Sequence, residues 1–192
     1  DPDVLAVLRL MAPATLGLAA VQANIFISSR FASHAPGAVS WLDYAFRILY
    51  LPIGIFGVAA GTIATTGFAR RAAAGDAAGL GDTLRNALRL VAFLTVPSMA
   101  GLMVLAEPIV RLLYERGRFL PADTVGTAQA LALYSVGLVA YSSVKVLAPA
   151  FYALGSPRVP LLGSVLAVAA NLATILALHG GLGFRAVALG TA

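Results

Sequence analysis

The sequence predicts an all-α fold, a polytopic bundle of transmembrane helices with five spans and the start of a sixth. Three observations predict it. Of the 192 residues, 60% are hydrophobic and 11% charged, with a mean hydropathy of +0.90, whereas a soluble domain carries about 25% charged residues. The apolar residues fall in stretches of roughly 20 to 30 without the polar face of period 3.6 that a soluble surface helix shows. Proline interrupts most of these stretches, which a membrane bundle tolerates because neighbouring helices re-satisfy the freed backbone groups.

The first span is expected over about 4–31, with Pro13 inside it and polar Gln22, Asn24, Ser28 and Ser29 toward its end. Ser33-His34-Ala35-Pro36-Gly37 makes a short turn. The second runs about 39–68 and holds Asp43, Arg47 and Pro52. Pro52 reads either as a fixed kink or as a hinge between transport states. The most hydrophilic stretch follows, from Arg70 to Arg89, and is expected as a loop carrying Gly75, Gly79, Gly81 and four arginines. The third span covers about 88–114, broken by Pro97 and Pro108. After the polar loop from Glu115 to Pro121, Asp123 or Thr124 is expected to cap a fourth span over 124–154. Gly155-Ser156-Pro157-Arg158 turns the chain into a fifth over 159–178, and His179-Gly180-Gly181 leads to the partial span 184–192. Asp1-Pro2-Asp3 has neither an initiator Met nor the basic n-region of a signal peptide, and the last apolar segment has only begun at Ala192. The chain is therefore expected to be an internal piece of a longer protein.

Composition also excludes function classes. There is no cysteine, so disulfides, thiolate metal sites and cysteine nucleophiles are ruled out. The net charge of +5 comes from twelve Arg and one Lys against eight acids, scattered singly rather than gathered in a stripe. Loop arginines beside anionic headgroups explain that better than nucleic acid does. His34 and His179 both fall in turns without metal-ligand spacing. No Ser/His/Asp grouping, P-loop or dinucleotide-binding glycine pattern is present. No catalytic residue, cofactor or metal ligand is assigned, and no enzyme activity is expected. Arg9, Arg70, Arg71, Arg85, Arg89 and Arg158 fall on one side of the alternating spans, against Arg30, Arg111, Arg116, Arg118 and Arg185 on the other. The positive-inside rule thus favours a cytoplasmic 70–89 segment by a small margin.

Two basic residues remain inside spans, Arg47 and Lys145. A charge at the bilayer centre costs at least about 2.5–3.5 kcal/mol and normally faces a bundle interior or a watery cavity. One reading makes both residues contacts for an anionic group such as a phosphate or pyrophosphate, through a bidentate guanidinium and a point-charge ammonium. In the other, Asp43, four residues earlier on the same helix face, simply neutralises Arg47, and Lys145 snorkels to the nearer interface. Gly57-Val58-Ala59-Ala60-Gly61, extended to Thr65, is a small-residue stripe that lets another helix approach closely. Gln22, Asn24, Ser28 and Asn171 are uncharged polar groups in spans, suited to interhelical hydrogen bonds.

Several longer strings resemble a known family. Tyr44-Ala45-Phe46-Arg47 with Leu51-Pro52-Ile53-Gly54-Ile55-Phe56-Gly57-Val58-Ala59 is similar to the eighth span of MurJ/MviN-type lipid II flippases. The segment Leu105 to Gly117, the string Tyr134-Ser135-Val136-Gly137-Leu138 and the segment Val144 to Gly155 are similar in the same register. The resemblance implies a fourteen-helix fold of two six-helix lobes plus a C-terminal pair. This chain would supply the seventh to eleventh spans and the start of the twelfth, the C-lobe of a two-lobe exporter. It further implies a multi-pass protein of the bacterial inner membrane, surrounded by membrane lipids and partnered by an N-lobe of the same protein. Its function would be translocation of the undecaprenyl-pyrophosphate-linked peptidoglycan precursor by alternating access. The alternative is export of polysaccharide-linked lipids or drugs by another branch of the same superfamily. Arg47 falls on the family's cavity arginine. Many members place an acid just before that arginine and another three residues after it, where this chain has Phe46 and Tyr50. Some members also build a cation site from an acid on the seventh span and polar or acidic groups on the eleventh. The corresponding places here hold Ser28, Asn171 and Ile175, so the resemblance does not carry sodium coupling over.

Overall fold

The computed structural model describes Thr15, Ala19 and residues 22–192, and these contain helices and no strand. The expectations for Arg9, for Pro13 and for the first half of the opening span fall outside the described residues. Helix α1 covers residues 22–32. Next come α2 (Ala38–Pro52), a π-helical turn (Ile53–Val58) and α3 (Ala59–Ala73), which run on as one rod. Then follow α4 (Ala77–Val104), α5 (Ala106–Tyr114), α6 (Pro121–Val136), α7 (Leu138–Ala153), α8 (Arg158–Leu182) and α9 (Phe184–Thr191).

Ala38–Ala73, Ala77–Val104 and Arg158–Leu178 are each long and apolar enough to cross a bilayer. Helices α6 and α7 meet at 49° around Gly137, and taken together the bent pair is also long and apolar enough to cross. The surface is that of a membrane protein. Ile63 and Phe93 are each 75% exposed, while alanines such as Ala32, Ala38, Ala45 and Ala130 are fully buried. Burying a large apolar side chain gains little over contact with lipid tails, so helices in a bilayer associate through small residues that let backbones approach.

The stretch from Arg70 to Arg89, expected as a loop, is helical except for residues 74–76. Its alanines favour helix regardless of polarity, and hydropathy reports only which part of a helix lies in lipid. Gly75 turns the chain at φ +68°. Asp76 then caps α4 by accepting the Gly79 N–H at 2.8 Å, and it pairs with Arg71 at 2.8 Å. That N–H first, and the guanidinium second, hold the Asp76 carboxyl below the usual carboxylate range. At the start of α6, neither Asp123 nor Thr124 is the capping residue that was expected. Pro121 occupies the first helical position, where its missing N–H costs nothing. Asp123 reaches back from the first turn to accept the Leu120 N–H at 2.8 Å.

Two cores mark the two ends of the bundle. One gathers Leu42, Leu49, Val110, Leu131 and Val187 from α2, α5, α6 and α9. The other gathers Phe68, Leu80, Val91 and Val146 from α3, α4 and α7. The turn at 33–37 and the loop at 115–120 share the first end. Trp41 of α2 donates its Nε1–H to Asp123 at 2.8 Å and meets Phe184 edge-on at 5.3 Å. The turns at 74–76 and 154–157 lie at the opposite end.

Candidate functional site

Helix α2 buries Leu42, Ala45, Ile48 and Leu49. Helical periodicity then turns Asp43, Arg47 and Tyr50 outward on a common face. Arg47 Nη2 lies 2.9 Å from Asp43 Oδ2, with the two side chains 66% and 57% exposed. The guanidinium carbon also sits 5.7 Å from the centre of the Tyr44 ring. The neutralising pair anticipated between Asp43 and Arg47 is therefore formed, yet it stands on the bundle's exposed surface and not within its core.

Lys145 reaches the same region from α7. The π-helical turn and α3, which continue α2, touch α7 along the small-residue stripe. A Cβ on Gly57 would lie 3.0 Å from Ser142 Cα, and one on Gly61 only 2.4 Å from the Lys145 carbonyl oxygen. The Lys145 Nζ thereby comes to 6.0 Å from the centre of the Tyr50 ring, within range of a cation–π attraction. Asp43, Arg47 and Tyr50 share the outward face of α2, and Lys145 reaches Tyr50, so two cations and one carboxylate lie along one polar strip. Tyr50 was noticed in the sequence only as a missing acid. Its contact partner lies far along the chain, and no local signal points to it. Phe46, at the other missing acid, turns inward and packs on Tyr134 and Tyr141 at 5.8 and 6.1 Å. Aromatic rings therefore stand where carboxylates would offset the cations, and the strip keeps a net positive charge.

Beside the strip, a cleft of about 430 Å³ opens between α1, α2, α6, α7 and α9. Asn24, Ser28, Asp43, Phe46, Tyr141 and Thr191 are among its walls. At its edge the Asn171 Nδ2 of α8 donates to Asn24 Oδ1 and, at 3.1 Å, to Ser28 Oγ. Three of the four uncharged polar residues singled out in the sequence thus form an interhelical node, while Gln22 stays exposed. The node does not match an acid-containing cation site. Its members are two amides and a hydroxyl already bonded to one another, and Ile175 is fully buried. Among the described residues Asn171 Oδ1 has no hydrogen-bond partner, and it faces Gly190, where a Cβ would approach it to 2.4 Å.

Comparison with known proteins identifies the family. The family model described as lipid II flippase MurJ matches residues 1–192. A Vibrio cholerae protein named "Probable lipid II flippase MurJ" is 36% identical over 173 residues, which is 90% of this chain and 33% of that protein. A Rickettsia prowazekii protein of the same name is 36% identical over 191 residues, covering 100% of this chain and 38% of that protein. The chain therefore spans about a third of the length of the curated relatives it matches. Among solved structures, a lipid II flippase MurJ in an inward closed conformation superposes with a TM-score of 0.84 at 29% identity, over 96% of this chain and 39% of that one. With its whole length matched, the chain belongs to the MurJ lipid II flippase family.

Proposed function

We propose that this chain forms the C-terminal lobe of a flippase that carries an undecaprenyl-pyrophosphate-linked peptidoglycan precursor across the bacterial inner membrane by alternating access. Arg47 contacts the pyrophosphate, Asp43 holds the guanidinium in place, and Lys145 adds a second positive charge. The observation that carries the reading is the exposed strip itself. A charged pair and a lysine within otherwise apolar spans are costly toward lipid and favourable toward a watery cavity. A second lobe would close that cavity, as in other transporters built from repeats. The arginines flanking the 74–76 turn support a cytoplasmic position for that end.

The exposed strip suits an alternating-access cycle. The strip offers a weak, solvated anion site and no enclosed one. A pyrophosphate entering from the cytoplasmic end displaces water from Arg47, which keeps Asp43 as its other anionic partner. Rocking of the two lobes opens the strip to the other side, where water competes again and the headgroup leaves. The test is complementation of a flippase-depleted strain by the full-length protein, with Arg47→Ala as the comparison. Rescue by the native protein alone supports the reading. Failure of the native protein despite proper membrane insertion contradicts it.

A further inference from the structure

A second cleft, of about 500 Å³, lies at the end of the bundle opposite the 74–76 turn. Its walls are Tyr44, Leu113, Tyr114, Arg116, Arg118 and Phe119. We propose that this cleft binds the phosphate headgroup of an anionic membrane phospholipid, with Arg116 and Arg118 on the phosphate and the three aromatic rings beneath it. The proposal rests on the membrane reading of the fold and is independent of the flippase reading.

The charged lining is two guanidinium groups and no carboxylate. The acids of this end are engaged elsewhere. Asp43 pairs with Arg47, Glu107 and Glu115 flank Arg111 at 2.6 and 3.5 Å, and Asp123 accepts from Trp41. Glu115 also accepts the Thr124 hydroxyl at 2.6 Å. Arg116 gives one N–H to the Leu113 carbonyl, and among the described residues its other donors are unused. Arg118 forms no ion pair or side-chain hydrogen bond among the described residues. Gly117, at φ +62°, makes the turn that sets the two arginines on either side of it. The guanidinium fork matches phosphate bidentately, and its hydration is weaker than that of an ammonium.

The apolar half of such a ligand is also provided for. Tyr44, Tyr114 and Phe119 form a mutual cluster, with ring centres 4.7, 5.4 and 5.9 Å apart. Next to it α5 presents Leu112, 83% exposed, and the loop presents Leu120, 59% exposed. Aromatic rings at headgroup depth beside exposed leucines are the pattern of a segment seated at the membrane interface. A free phosphate would use the arginines and leave that apolar surface in water, so a lipid is the occupant that satisfies both.

Native mass spectrometry of the full-length protein, titrated separately with phosphatidylglycerol, phosphatidylcholine and undecaprenyl pyrophosphate, tests the proposal. Arg118→Gln, and the double variant with Arg116→Gln, should weaken phosphatidylglycerol binding roughly tenfold or more. Phosphatidylcholine binding and the thermal midpoint should stay unchanged. Arg118→Lys, which keeps the charge, should retain part of the affinity. Lys145→Gln, which touches no wall of this cleft, should lower translocation and leave phosphatidylglycerol binding intact, so the two proposals fail separately. Unchanged phosphatidylglycerol affinity in the double variant overturns the site. A loss confined to undecaprenyl pyrophosphate overturns it as well, by assigning the cleft to the transported lipid.

Discussion

Gly61→Ala places a methyl group where α3 and α7 are in backbone contact. The new Cβ would lie 2.4 Å from the Lys145 carbonyl oxygen and 3.1 Å from its carbonyl carbon. Close carbon–oxygen contacts settle at about 3.3–3.6 Å, so the helices must part by roughly 1 Å. The obstacle is backbone, and no rotamer change relieves it. Overpacking of this kind costs about 1–3 kcal/mol. The separation also carries Lys145 away from Tyr50, so translocation should fall along with stability. Gly101→Ala is the matched control, because a Cβ there meets nothing within 4 Å. Thermal unfolding of the purified full-length protein in detergent, followed by translocation in proteoliposomes, reads both effects. If Gly61→Ala melts with the native protein and transports as well, the close approach of α3 and α7 is wrong, and with it the placement of Lys145.

Three further expectations follow from particular contacts. Tyr50→Leu removes the ring beneath Lys145 and should lower translocation about two- to thirtyfold, from a cation–π attraction of roughly 0.5–2 kcal/mol, whereas Tyr50→Phe should transport normally. Gly126→Ala would set a Cβ 2.5 Å from Trp41 Cδ2; displacing the indole breaks its bond to Asp123 and should cost about 1–3 kcal/mol in a melt. Asp76 has a depressed carboxyl pKa. Its contribution to stability is fully present above the ordinary value of about 3.9 and is lost as pH falls below that, through the lowered folded-state value. Asp76→Asn should therefore flatten the acid limb of a stability profile, and an unaltered limb would show that the cap is unimportant.

How much of this was legible in the sequence depends on how local each signal is. Helical class and the presence of several membrane-crossing helices were legible, because a run of apolar residues long enough to cross a bilayer reports directly on the surrounding solvent. Helix ends were not. The alanine-rich segment around Arg70 to Arg89 is polar enough to leave lipid and helical enough to continue outside it, and composition separates only the first property. The π-helical turn after Pro52 and the bend at Gly137 depend on packing against α7 and between α6 and α7, which a single stretch of sequence does not encode. The Asp43–Arg47 pair was legible because four residues make one helical turn. The contact of Lys145 with Tyr50, and the node joining Asn171 to Asn24 and Ser28, connect residues far apart in sequence. The residue types were visible there, but the pairing was not. The resemblance singled out Arg47 as an expected cavity contact, and the departures at Phe46 and Tyr50 put aromatic rings at two places where many family members carry acids.

The most direct test of the cationic strip is translocation of lipid II by the full-length protein in proteoliposomes, with Arg47→Gln, Lys145→Gln and the double variant compared at equal reconstitution. Each charge-assisted contact to a pyrophosphate is strong enough that its removal should slow translocation roughly tenfold or more, with the inserted protein still folded. Native rates in the double variant would contradict the assignment of this face to the anionic headgroup.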